Sequence, residues 1–193
     1  MPGNMPESGG GRIEIICGCM FAGKTSHLIA RLAEEEAVGR RVAAFKHQLD
    51  KRYDPACLVT HNGRSFMAAA MGEPEAIPAR IDEAEVVGID EAHFFGRPLI
   101  GVCRQLADAG RHVILAGLDR DAWGQAIPPL PQLKPIADAV TVLHAPCKVC
   151  GRPARFSQRL TPVVDGQMVG GPEEYEPRCE VCFTPLPLPA PVY

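Results

Sequence analysis

The stretch "CGCMFAGKTSHL", residues 17–28, decides the fold, because it holds a Gly-x-x-x-x-Gly-Lys-Thr run between two segments of different periodicity. Upstream, "RIEIIC" (12–17) alternates and is rich in β-branched residues, as a strand should be; downstream, "SHLIARLAEEEAV" (26–38) repeats apolar residues at helical spacing until Gly39. Strand, glycine loop and helix in that order form the setting in which this motif cradles phosphate. The backbone N–H groups from about Met20 to Thr25 are expected to converge on an anion at a helix N-terminus. Lys24 then reaches the outer phosphates and the Thr25 hydroxyl is available to Mg²⁺. The plain alternative, a glycine-rich turn with no ligand, does not account for this context.

Four more apolar runs follow: "RVAAFK" (41–46), "EVVGID" (85–90), "HVILAG" (112–117) and "AVTVLH" (139–144), each read as a buried strand. Between them "IGVCRQLADAG" (100–110) has helical periodicity and a terminal glycine. Strand–helix–strand alternation predicts an α/β domain with a mainly parallel sheet and helices on both faces. The polar segment 47–65 is a long loop of the kind that is usually functional. Residues 1–11 and the Pro-rich 184–193 read as flexible ends.

A chain of 193 residues with 46% apolar content is long enough for one main core and a small appendage. Its formal charge of −3, with dispersed Lys and Arg, leaves no broad basic face for a nucleic-acid backbone. Neither a signal peptide nor an apolar span is legible, so a cytoplasmic location without membrane contact is expected.

Two further groups carry chemistry. In "VVGIDEAHFF" Asp90 ends an apolar strand, where an acidic residue holds Mg²⁺ near a phosphate loop, and Glu91 follows, placed to accept a proton from an attacking hydroxyl. The competing reading makes the pair a helix cap. Cys147-x-x-Cys150 and Cys179-x-x-Cys182 form two knuckles, and four thiolates with no open position make a structural zinc site. The alternative is buried free thiols or a redox pair. Such a metal would clamp both ends of 151–178, a loop then suited to closing over a substrate. Cys17, Cys19, Cys57 and Cys103 are scattered and read as ordinary core or loop residues.

With these residues in view the sequence resembles the cellular-type (type II, zinc-containing) thymidine kinase family. "GCMFAGKT" resembles the family's Gly-Pro-Met-Phe-Ser-Gly-Lys-Ser/Thr, "GIDEAHFF" its Asp-Glu-x-Gln-Phe-Phe, "GLDRDAWG" its Gly-Leu-Asp-x-Asp-Phe-Arg-Gly, and "VGGPEEYEPRC" its Gly-Gly-x-x-x-Tyr-x-x-x-Cys. "DKRYD" and "THNG" stand where the family has Asp-x-Arg-Tyr and Ser-His-x-Gly, so the likeness runs from about Arg12 to Phe183.

The resemblance implies a P-loop (RecA-like) α/β domain over 12–144 and a zinc-binding lobe carrying a lasso loop over 145–183. It further implies transfer of the γ-phosphoryl group of ATP to the 5′-hydroxyl of thymidine or deoxyuridine, and a homotetramer. Gly18, Met20, Phe21, Ala22, Gly23, Lys24 and Thr25 would form the ATP loop, Asp90 would support Mg²⁺, Glu91 would be the general base, and Arg52 and Arg159 would lie near the transferring phosphate. Met20, Phe94, Leu118 and Tyr175 would line the thymidine pocket, with the backbone of Met168, Val169, Gly170 and Gly171 gripping the base.

The chain departs from the family at His93 for Gln, Ala122 for Phe and Trp123 for Arg, which bears on nucleoside preference rather than on the phosphate machinery, and at Cys19 for Pro, which alters only the stiffness of the loop. Two rival readings are a P-loop ATPase whose zinc lobe binds a partner, and a nucleotide-binding regulatory protein with weak kinase activity.

Overall fold

The computed structural model describes residues 10–50, 57–59, 65–161 and 170–186. Six strands make one parallel sheet: β1 (Arg12–Gly18), β2 (Val42–His47), β5 (Ala69–Met71), β6 (Val86–Asp90), β7 (His112–Gly117) and β8 (Ala139–Leu143), in the order β5-β2-β6-β7-β1-β8. Between β2 and β5 a small antiparallel hairpin pairs β3 (Cys57–Val59) with β4 (Ser65–Met67). Residues 51–56 and 60–64 of the expected long loop lie outside the described residues.

The alternation of β1 explains the layering. Ile13, Ile15 and Cys17 enter one core with Leu99, Val102 and Leu106 of helix α2 (Pro98–Asp108). Ile16 enters the opposite core with Leu28, Ile29 and Leu32 of helix α1 (Lys24–Ala37). Helices therefore cover both faces, as the periodicity of each predicts. A short helix α3 (Leu130–Leu133) packs into the α2-side core before β8.

One strand differs from expectation. "AVTVLH" was read as buried, but β8 lies at the sheet margin, where Val140 and Val142 are 41% and 37% exposed. Among the described residues it pairs with β1 alone, so the side chains of an edge strand lack the neighbour that would cover them.

Beyond β8 the chain forms two short antiparallel pairs, β9 (Ala145–Pro146) with β10 (Pro153–Ala154) and β11 (Phe156–Arg159) with β12 (Tyr175–Arg178). Two ribbons of this size cannot sustain a core by themselves. They dock against the loop after β1 through a small apolar cluster of Cys19, Ala145, Cys147, Ala154 and Cys179.

Under α1, at the end of the sheet away from this loop, lies a buried ionic group. Arg31 donates to both oxygens of Glu14 (2.9 and 3.1 Å) and to Glu35 (3.1 Å), and Arg40 donates to Glu35 (2.9 Å). His112, 1% exposed, has a ring nitrogen 3.3 Å from each of Glu14 and Glu35, neither contact with hydrogen-bond geometry. Burial holds this imidazole below its usual 6.5 against the pull of Glu35 and Glu14. Burial alone would raise Glu14 and Glu35, but hydrogen bonds from Arg31 and Arg40 hold them below their usual 4.5.

All three groups bind protons more readily in the unfolded chain, so their stabilisation is complete above the unfolded values and declines as pH falls. The expected result is a melting temperature that drops below about pH 6.5 and more steeply below about pH 4.5. Thermal denaturation across pH 4–8 checks it: His112→Gln should make the upper step shallower and leave the lower one, and an unchanged profile would acquit His112.

Candidate functional site

The phosphate loop is built by backbone constraints at its two glycines. A Cβ at Gly18 would sit 2.2 Å from the Leu143 carbonyl oxygen, so the strand can leave the sheet against β8 only without a side chain. Gly23, at φ 82°, turns the chain into α1. Phe21 adopts φ 64°, a left-handed conformation rare for an aromatic residue and often found where a loop is shaped for a ligand. Lys24 is only 9% exposed and its Nζ donates to the Cys19 carbonyl at 2.7 Å.

The loop's donors differ from the sequence reading in two places. The Met20 amide donates to Ser157 Oγ at 3.0 Å and the Ala22 amide to the Cys19 carbonyl at 3.4 Å. Both are taken up in shaping the loop, whereas the amides of the first turn of α1 face outward along the helix axis at its N-terminus, the place where an anion is held.

Although β7 separates β1 from β6, the strand ends converge, and Thr25 Oγ1 donates to Asp90 Oδ2 at 2.8 Å. Asp90 is 2% exposed; burial and then the neighbouring Glu91 push its carboxyl up to about 7. A buried carboxylate beside a hydroxyl at the mouth of a phosphate loop is a donor set that fits a hard dication, whose charge would restore the ionised form. Glu91 sits at φ 50° and makes no side-chain cap for the 3-10 turn Ala92–Phe95, so the helix-cap alternative does not hold for it. Its Oε2 lies 3.5 Å from His93 Nδ1, which accepts the Leu118 amide at 3.3 Å and so links this turn to the end of β7.

These groups open on one cavity of about 420 Å³. Its lining includes Gly23, Lys24 and Thr25 of the phosphate loop, the Asp90–Glu91 pair, the largely apolar side chains of Met20, Phe94, Leu118 and Tyr175, and Gly170 of the lobe. Phe21 lines it as well. Gly18 and Ala22 stand behind the loop and shape it, and Gly171 is bound to Glu174 (2.7 Å) next to the cavity rather than in it. Arg159 does not line the cavity: it donates to the Tyr175 hydroxyl at 2.8 Å and to the Thr161 carbonyl at 3.0 Å, steadying the tyrosine. Arg52, Met168 and Val169 lie outside the described residues.

The cavity also contains residues that the sequence reading did not place there, among them Asp50, His93, Arg120 and Ser157. Asp50 and His93 stood inside quoted motifs and were legible in principle. Ser157 carried no signal, being one hydroxyl on a four-residue strand.

The four cysteines come together in the lobe, with all sulfur atoms within 4.8 Å of one another and Cys150 3.5 Å from Cys179. A tetrahedron with metal–sulfur bonds of ~2.3 Å has sulfur–sulfur edges of ~3.8 Å, so the cluster could hold a zinc ion. Arg152 donates to Cys150 at 3.3 Å and brings that thiol down to about 6, toward the thiolate that a metal requires.

A family model described as thymidine kinase matches residues 11–183, nearly the whole of the fold. The chain belongs to the thymidine kinase family. It is similar to a thymidine kinase of Rhodothermus sp. (strain ITI 518), 46% identical over 91% of this chain and 82% of that one. A thymidine kinase of Bacteroides thetaiotaomicron is 44% identical over 90% of this chain and 87% of its own. One of Roseiflexus sp. (strain RS-1) is 44% identical over 91% and 96%.

The Met20–Ser157 bond ties loop to lobe, and its loss is measurable. Ser157→Ala leaves the Met20 amide without its acceptor and is expected to lower unfolding free energy by about 1–3 kcal/mol, read from denaturant titration of the full-length protein. A variant as stable as the parent would show that water replaces Ser157 at no cost.

Proposed function

We propose that this chain transfers the γ-phosphoryl group of ATP to the 5′-hydroxyl of thymidine, giving dTMP. The observation that carries this is the joining, in one cavity of about 420 Å³, of a phosphate loop, the Asp90–Glu91 pair and the apolar and aromatic side chains of Met20, Phe94, Leu118 and Tyr175. An ATPase that only switched a partner would need the first two of these and not the third.

The chain's own groups divide the work. Lys24 leaves the Cys19 carbonyl for the outer phosphates, and the first-turn amides of α1 hold the phosphate chain. Mg²⁺, when bound, would neutralise charge on the β- and γ-phosphates, held by Thr25 and Asp90. Glu91 is the general base. A carboxylate of ordinary pKa near 4.3 does not ionise an alcohol beforehand, but in a loose transition state bond formation lags, so it orients the hydroxyl and accepts the proton late. Positioning and electrostatics then supply most of the rate. Arg52 is assigned to the phosphate side of the site, Met168 to Gly171 to the base, and Arg159 to support of Tyr175.

Cys147, Cys150, Cys179 and Cys182 hold a structural zinc that clamps both ends of the lasso. In this reading residues 12–144 form the kinase domain and 145–183 the zinc lobe, and the chain assembles as a homotetramer working in the cytoplasm on free nucleosides rather than nucleic acid. No helix among the described residues is long and apolar enough to cross a membrane.

A phosphoryl-transfer assay over a panel of nucleosides, with deoxyuridine and purines beside thymidine, tests the reading. ATP consumption without any nucleoside acceptor would replace it with the ATPase alternative. Glu91→Gln should retain ATP and thymidine binding and lower kcat by about 10² or more; near-parental turnover would remove Glu91 as the base. Elemental analysis should find one zinc per chain, lost when Cys179 is replaced by Ser, and metal-free active protein would refute the structural site.

A further inference from the structure

The turn that follows β7 is fixed more tightly than a surface loop needs to be. Asp121 Oδ1 accepts the amides of both Trp123 (2.9 Å) and Gln125 (2.8 Å). The Asp121 amide donates to the Gln125 carbonyl (2.9 Å), the Gly124 amide to the Asp121 carbonyl (3.0 Å), and Arg120 pairs with Ala126 as an antiparallel bridge. The Arg120 guanidinium braces the turn from outside, donating to the Gly124 carbonyl at 2.8 Å and lying over Phe156 at 5.4 Å. Phe156 is in turn stacked on Phe183 at 4.4 Å. Gly124, at φ 78°, leaves 3.1 Å between a built Cβ and the Phe183 ring, so turn and lobe meet closely.

A turn held in this way gives Trp123 one backbone direction, and that direction takes it to the same cavity as Phe94 and Tyr175. Ala122, its neighbour, also borders the cavity but is 2% exposed, so that position offers little surface to an occupant. Trp123 is half-buried. A half-buried indole that borders the cavity from a fixed turn is suited to a flat, weakly polar ring, with geometric preferences that an aliphatic side chain lacks.

We propose that Trp123 is a specificity-determining residue of the nucleoside site, its indole packing against the pyrimidine ring of the substrate. The inference rests on the nucleoside-kinase reading and extends it to a side chain presented by the turn after β7. That turn is held by enough hydrogen bonds to present the indole from one backbone position.

Trp123 is the chain's single tryptophan, so its fluorescence reports this position without a label. The zinc-loaded wild-type protein, titrated with thymidine without ATP, should show a saturable change in indole emission. In steady-state kinetics Trp123→Leu should raise the thymidine KM about tenfold and leave the ATP KM unchanged, while Trp123→Phe should stay within about threefold of the parent. If the Leu variant does not fold, the wild-type titration decides. Wild-type enzyme that phosphorylates thymidine with no change in emission overturns the inference and leaves the kinase reading standing. A change in emission with an unaltered KM in the Leu variant also overturns it, since proximity without discrimination is not specificity. Failure to phosphorylate any nucleoside removes the kinase reading, and this inference with it.

Discussion

Lys24 carries its ammonium group into a site only 9% exposed, and a charge so placed requires a partner at every stage of a reaction cycle. The Cys19 carbonyl is one such partner, 2.7 Å from Nζ. The carbonyl faces inward because the loop turns sharply between Gly18 and Gly23, and the loop holds that shape because the thiol of Cys19 donates to the Ala154 carbonyl at 3.4 Å and the Met20 amide to Ser157. The cation that would meet the phosphates is thus positioned by contacts that reach from β1 to the lobe.

This dependence runs in both directions. The lobe has two ribbons and almost no apolar interior beyond the cluster it shares with Cys19, so the phosphate loop is part of what it folds against. The two knuckles follow β9 and β12, so a metal between them would join the beginning of the lobe to the far end of the β11–β12 pair and set where Tyr175 and Gly170 stand over the cavity. The phosphate loop and the part of the cavity lined by the lobe are therefore joined by directly packed backbone segments.

The places where this chain departs from its family are absorbed locally. Cys19, in place of Pro, brings a weak S–H donor to the lobe where Pro has no donor at all. His93, in place of Gln, still offers an acceptor to the Leu118 amide and lies tilted against the Phe94 ring with centroids 4.2 Å apart. Ala122 is buried beside a tryptophan, so lost ring volume at one position is accompanied by gained ring volume at the next.

Much of this was legible in the residues alone. Side-chain periodicity is a local property, so five of the six strands of the main sheet, both long helices and the two-sided core followed from spacing, and the phosphate loop and the cysteine knuckles from contiguous motifs whose chemistry needs few partners. Three-residue β5 and the short hairpin strands are too brief to show a period. What only the tertiary structure decided is non-local. The margin position of β8, the Thr25–Asp90 bond between residues 65 apart in sequence, the capture of the Met20 amide by Ser157, and the gathering of His112 with Glu14 and Glu35 all depend on which strands lie side by side. A one-dimensional pattern records which face of an element is apolar; it does not record which other element that face will meet. That assignment is made by packing, and the cavity exists only once it has been made.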